Sequence, residues 1–210
     1  MKYLIDKVVF KKLLSDMNEY LRQDDFGDYS IYNIYYDNDF DSVIRSCIDK
    51  PIFREKLRVR CYEQNGKQSE HFIELKKKYN GINYKRRIPY SQIGLGCQIS
   101  QEIQNFIDKT GSYQKIAIGY LRKAYKTVDE TPLRITFDFD IKYRYENLGL
   151  CADKKDKYFD RNLYVLEIKT EVPLPLWLRT ILNSYNLVSR PFSKYGMIYQ
   201  ASNTEDKKNA

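Results

Sequence analysis

Arg54, Lys56, Arg58 and Arg60 stand at every second position of the chain. A strand has period two, so all four cations share one face, opposed by Phe53, Leu57, Val59 and Cys61. The same division recurs in Glu74/Lys76/Lys78, in Asn83/Lys85/Arg87 and in Glu167/Lys169/Glu171. It recurs again in Arg134/Thr136/Asp138/Asp140/Lys142/Arg144, whose other face is Ile135, Phe137, Phe139, Ile141, Tyr143 and Tyr145. If the apolar faces pack outward against helices, the ionic faces look at one another across a closed or nearly closed sheet. A cluster of like charges facing inward repels itself, by about 1 kcal/mol per pair at 4 Å in water and more where water is scarce. Such a lumen should be stabilised by the anion it holds. Nucleic acid, acidic lipid and polyanionic metabolites all fit that description, and charge alone does not choose among them.

The elements that must hold these faces are legible in outline. Val9, Leu13, Met17 and Tyr20 predict a helix over 6–22 with Asp6 as N-cap. The β-branched and aromatic run 29–37 predicts a strand, followed by a short helical turn near 39–47. Strands 53–62, 71–79 and 82–88 form a meander, with Asn65-Gly66 and Asn80-Gly81 as turn signals. Ile103, Phe106 and Ile107 predict a helix over 98–109 that stops at Gly111. Segments 113–125, 133–145 and 163–172 are strands, 146–162 is a polar exposed loop, and 174–188 is a helix. The expected fold is α+β: an antiparallel β-tunnel or barrel of about eight strands with a charged lumen, flanked by helices. Residues 1–200 form one domain, and 201–210 are a polar disordered tail.

Composition narrows the partners. The 210 residues carry a formal charge of +8, which suits a polyanion. Cys47, Cys61, Cys97 and Cys151 lack CxxC spacing, and His71 is the single histidine, so no zinc site is expected. A reduced, cytoplasmic protein is the expectation. No run approaches the ~20 apolar residues of a membrane span, and no signal-peptide core opens the chain. Nucleic acid is not expected as partner, because the cations alternate along strands without the aromatic signature of an RNA-binding sheet.

In combination and order, several segments resemble the VTC-type polyphosphate polymerase domain of the triphosphate tunnel metalloenzyme superfamily. They include Lys2-Tyr3, Ile34-Tyr35-Tyr36-Asp37-Asn38, Lys56-Leu57-Arg58-Val59-Arg60-Cys61-Tyr62, Phe72-Ile73-Glu74-Leu75-Lys76 and Lys85-Arg86-Arg87. Tyr120-Leu121-Arg122-Lys123-Ala124-Tyr125, Arg134-Ile135-Thr136-Phe137-Asp138, Leu166-Glu167-Ile168-Lys169 and Phe192-Ser193-Lys194-Tyr195 continue the resemblance along nearly the whole chain. It implies transfer of the γ-phosphoryl group of ATP onto inorganic polyphosphate, assisted by a divalent metal, Mn²⁺ or Mg²⁺. Lys56, Arg58, Arg60, Lys76, Arg122, Arg134 and Lys194 would be the catalytic cations. Lys2, Lys85, Tyr120, Lys169 and Ser193 would bind substrate, and Glu167 with Glu74 would hold the metal. Two departures stand out: the chain begins one residue before Lys2, which implies a short opening strand, and Pro191 occupies a position where the family carries a cation. A metal-dependent tripolyphosphatase or nucleoside triphosphatase, and a non-catalytic polyphosphate or nucleotide sensor, are the alternatives on the same scaffold.

Overall fold

A computed structural model describes residues 1–94 and 96–206. Its strands are β1 (Lys2–Asp6), β2 (Leu21–Asp37), β3 (Phe53–Gln64), β4 (Lys67–Gln68), β5 (Phe72–Tyr79), β6 (Ile82–Pro89), β7 (Tyr113–Thr127), β8 (Leu133–Arg144), β9 (Lys157–Asp160) and β10 (Leu163–Thr170). The α-helices are α1 (Lys7–Asp16), α2 (Ser42–Asp49), α3 (Gln98–Thr110), α4 (Leu176–Ser184) and α5 (Lys194–Asp206). The strands form one sheet in the order β1-β10-β8-β7-β2-β3-β5-β6, with β4 added to β3 and β9 to β8. This is the α+β architecture expected, with ten strands where about eight were anticipated. Closure is corrected: the hydrogen-bonded path ends at β1 and β6, and these two strands do not pair among the described residues.

Contacts group the chain into two compact units. The first comprises 1–30, 120–141 and 158–192. Its core joins Phe10 and Leu13 of α1 and Met17 at its C-cap to Ile135, Phe137, Leu166 and Ile168 of β8 and β10 and to Leu178 and Leu182 of α4. Thus the apolar strand faces pack on helices, as the alternation required. The second unit comprises 31–119, 142–157 and 193–210. There Leu57, Val59, Ile73, Leu75 and Ile88 pack on Ile103 and Phe106 of α3.

Local signals explain most boundaries. The Asp6 carboxylate accepts from the Val9 amide at 2.7 Å and starts α1. That helix stops at Asp16, short of the expected residue 22, because Leu21 already begins β2. Strand β2 is therefore eight residues longer at its start than the apolar run from Tyr29 suggested. Asn65 and Gly66 have φ of 52° and 73° between the paired Gln64 and Lys67. Asn80 and Gly81 have φ of 44° and 85° between Tyr79 and Ile82. Both are two-residue turns of the type that Asn-Gly favours. Gly111, at φ 61°, ends α3.

Three further expectations are corrected. Residues 201–206, expected as disordered tail, continue α5; 207–210 lie outside the described residues. The 146–162 loop contains β9. Arg144 does not belong to the ionic face of β8. Asp140, at φ 50°, interrupts the alternation as a bulge would, and beyond it Arg144 is buried. Its guanidinium pairs with Asp156 and donates to the carbonyls of Asn147 (2.9 Å), Gly149 (2.9 Å) and Cys151 (3.1 Å). Arg144 thus ties down the loop.

Candidate functional site

In the second unit the meander places its cations in cross-strand rows. Arg58, Glu74 and Arg87 are directly opposite one another on β3, β5 and β6, and so are Lys56, Lys76 and Lys85. At the centre is Glu74, whose side chain is 1% exposed. Arg58 donates to its Oε2 from Nε at 2.8 Å and from Nη2 at 2.6 Å. Lys85 Nζ lies 2.6 Å from Oε1, Arg87 Nε 3.9 Å from Oε1, and Arg60 Nε 4.0 Å from Oε2. Burial alone would raise the pKa of this carboxyl, but Arg58, Arg60 and Lys85 outweigh it and hold it down at about 2. One carboxylate therefore aligns four cations that would otherwise repel each other.

Apart from Ser193, sequence reasoning assigned no role to the groups that fix this ring. Buried Arg60 donates from Nε to Asn33 Oδ1 at 2.8 Å, and Asn33 is held in turn by donating to the Ile118 carbonyl at 3.0 Å. Arg58 Nη1 donates to the Tyr35 hydroxyl at 3.0 Å. The Arg87 guanidinium lies 3.5 Å from the centroid of the Phe72 ring and 5.4 Å from that of Tyr62. Lys56 Nζ donates to Ser193 Oγ at 3.0 Å, next to Lys194, the first residue of α5. Asp37, which is fully buried, accepts from the Val43 and Ile44 amides at 2.9 Å and from the Tyr195 hydroxyl at 2.9 Å. Those bonds secure α2 and α5.

Tyr35 is tuned by its setting. Burial pushes its pKa up, yet Arg58 and Arg60 favour the phenolate and bring it down to about 8. A tyrosinate absorbance titration should show one of the 20 tyrosines ionising near pH 8, and Tyr35→Phe should remove that step. Because the phenolate adds a negative charge beside Arg58, affinity for the polyanion that the resemblance implies should fall as pH rises through 8. The affinity of Tyr35→Phe should stay flat there.

The two sides of β5 differ as its period demands. Lys77 Nζ turns to the α3 side, 3.0 Å from Glu102 and 3.4 Å from Glu55, while Lys76 sits in the row of Lys56 and Lys85. If this row binds condensed phosphate, as the family resemblance implies, Lys76→Ala should weaken tripolyphosphate binding about tenfold, the loss of one charge-assisted contact, and Lys77→Ala should leave calorimetric affinity near native. Equal losses would contradict the face assignment.

In the first unit the pairs are separate. Arg122, backed at 5.7 Å by the buried Tyr120 ring, donates from Nε and Nη2 to Asp138 at 2.6 and 2.8 Å. Arg134 Nη2 donates to Asp24 Oδ2 at 2.9 Å and to the Tyr29 hydroxyl at 3.4 Å. Lys169 is directly opposite Arg134, and Glu167 lies between Lys2 and Thr136 in the β1-β10-β8 register. Lys2 Nζ is 3.9 Å from Glu167 Oε1 and donates to the Phe192 carbonyl at 3.3 Å. Of these partners, Asp24 and Tyr29 carry no sequence signal, because each meets Arg134 only through tertiary pairing.

Among the described residues, no three His, Cys, Asp or Glu side chains converge to make a metal cage. No described helix is long and apolar enough to cross a membrane.

Against known proteins, the VTC domain family model matches residues 1–203. No curated protein matches the chain in sequence. The PH1819 protein from Pyrococcus horikoshii OT3 is similar in structure, with a TM-score of 0.52 and 16% identity over 96% of this chain and 97% of that one. A "putative adenylate cyclase" from Vibrio parahaemolyticus has a TM-score of 0.48 and 9% identity over 95% of this chain and 97% of that one. At 16% identity the likeness to the Pyrococcus horikoshii protein is one of fold.

Proposed function

Because this chain belongs to the VTC domain family, we propose that its cationic clusters bind condensed phosphates and that it is a polyphosphate polymerase, moving the γ-phosphoryl group of ATP onto inorganic polyphosphate. The observation that carries this reading is the ring of Arg58, Arg60, Lys85 and Arg87 around one buried carboxylate. Its positive charge exceeds what Glu74 neutralises, and the excess calls for an anion rich in acceptor oxygens.

Within that reading, Lys56, Arg58, Arg60, Lys76, Lys85, Lys194 and the Ser193 hydroxyl hold phosphoryl oxygens in the second unit. Lys2, Tyr120, Arg122, Arg134 and Lys169 do so in the first. Preorganised donors need no reorganisation as charge moves between oxygens during transfer, which is how such a face lowers the barrier. The acceptor is itself an ionised phosphate, so no side chain has to remove a proton.

The two carboxylates fit the metal role differently. A divalent cation at Glu74 would face four like charges within 4.0 Å, so Glu74 serves the cations and not a metal. Among the described residues Glu167 has one cation within 4.0 Å, Lys2 at 3.9 Å. It fits as the single protein carboxylate of an Mg²⁺ or Mn²⁺ ion whose other ligands are phosphates and waters. Such an ion neutralises phosphoryl oxygens when bound.

Incubation with ATP and Mn²⁺ tests the proposal: long polyphosphate should form. Orthophosphate alone would identify a triphosphatase, and ATP binding without turnover a sensor.

A further inference from the structure

Among the described residues, two buried donors in the first unit have no acceptor: the Thr136 hydroxyl and the Arg134 Nε–H are both enclosed and both lack a hydrogen-bond partner there. They stand two residues apart on one face of β8, so they address the same space. Thr136 is 5% exposed, and leaving its hydroxyl unpaired is costly. What two orphan donors lack is an acceptor, and a bare metal ion provides none. Around them are Lys169, opposite Arg134, and Glu167, opposite Thr136, with Lys2 beyond. Asp24 Oδ2 accepts from Arg134 Nη2, the neighbour of Nε in the guanidinium fork, at 2.9 Å, which leaves Nε–H for an incoming acceptor.

We infer that Arg134 and Thr136 form a discrete phosphoryl subsite in which the Thr136 hydroxyl and the Arg134 Nε–H donate to oxygens of one phosphoryl group of a condensed phosphate. The inference rests on the phosphate-binding reading above and adds Thr136 to it as a binding residue. Both orphan groups are satisfied together when the anion arrives, so the free protein bears a cost that the complex does not. Strand alternation placed Thr136 on the ionic face but gave its hydroxyl no role, because a threonine in a strand is ordinary.

This arrangement makes stability and binding move in opposite directions. Thr136→Val keeps the shape and β-branching but removes the orphan hydroxyl. Calorimetric titration with sodium tripolyphosphate should show affinity about 10- to 100-fold below native, the value of one hydrogen bond to a charged group. The melting temperature of the free variant should be unchanged or higher by on the order of 3 °C. Thr136→Ser, which restores the hydroxyl, should bind within about threefold of native. Undiminished binding by Thr136→Val, or a lower melting temperature in the free variant with native affinity, would overturn the inference and assign the hydroxyl a structural role. Failure of the native protein itself to bind tripolyphosphate would overturn the phosphate-binding reading, and this subsite with it.

Discussion

Glu74→Gln should lower unfolding free energy by about 3–5 kcal/mol, the usual cost of breaking a buried ion pair from one side. The glutamine is nearly isosteric, so packing is preserved and the effect is electrostatic. Arg58, Arg60, Lys85 and Arg87 would then face one another without the carboxylate that lies within 4.0 Å of each. Saturating tripolyphosphate should restore much of the loss, because a ligand bound only by the native state adds its binding free energy to stability. Chemical denaturation with and without the anion measures both. The native protein should show the same dependence with pH. Glu74 is depressed from 4.5 to about 2 on folding, so its contribution is complete above pH 4.5 and disappears as pH falls from 4.5 toward 2. That shift corresponds to roughly 3 kcal/mol. Glu74→Gln should be correspondingly less sensitive over this interval.

Arg122→Ala should be about as costly, roughly 3–5 kcal/mol, for the converse reason. Asp138 is 2% exposed and receives two short bonds from Arg122, so truncation leaves a buried carboxylate without its fork. Burial lowers the proton affinity of Arg122, but Tyr120 and Asp138 outweigh burial and raise it, which keeps the arginine charged. Replacing both partners separates structure from function. Arg122→Met with Asp138→Leu should recover most of the stability, because paired apolar groups can replace a buried ion pair with little loss. It should not recover tripolyphosphate affinity, since the cation is gone. A double variant that binds like native protein would remove Arg122 from the site.

The sequence exposed which cations share a face because a strand's period is rigid. Once 53–60 is extended, Lys56, Arg58 and Arg60 must share a face, and the register with β5 and β6 gathers Glu74, Lys76, Lys85 and Arg87 beside them. The Asp6 cap, both Asn-Gly turns and the stop at Gly111 were legible because each depends on a few adjacent residues. What was hidden depends on distant partners. Asn33 meets Arg60 from 27 positions away, and Asp24 meets Arg134 from 110. The polar opening of β2, Arg22-Gln23-Asp24-Asp25, lacks strand propensity and is held by tertiary pairing. The reach of α5 past residue 200 was masked by a polar composition, although Tyr195 and Ile198 bury it from within. The left-handed Asp140 broke an alternation that sequence alone extended through to Arg144.

On the proposed function, these cations are arranged for a chain of phosphates, beyond simply supplying positive charge. Calorimetric titration of the native protein at 0.15 M salt (about an 8 Å screening length) with ortho-, pyro- and tripolyphosphate tests it most directly. Affinity should rise about tenfold or more with each added phosphoryl group, as each brings at least one charge-assisted bond. Equal affinities across the series, or displacement of tripolyphosphate by single-stranded nucleic acid at equal phosphate concentration, would contradict it.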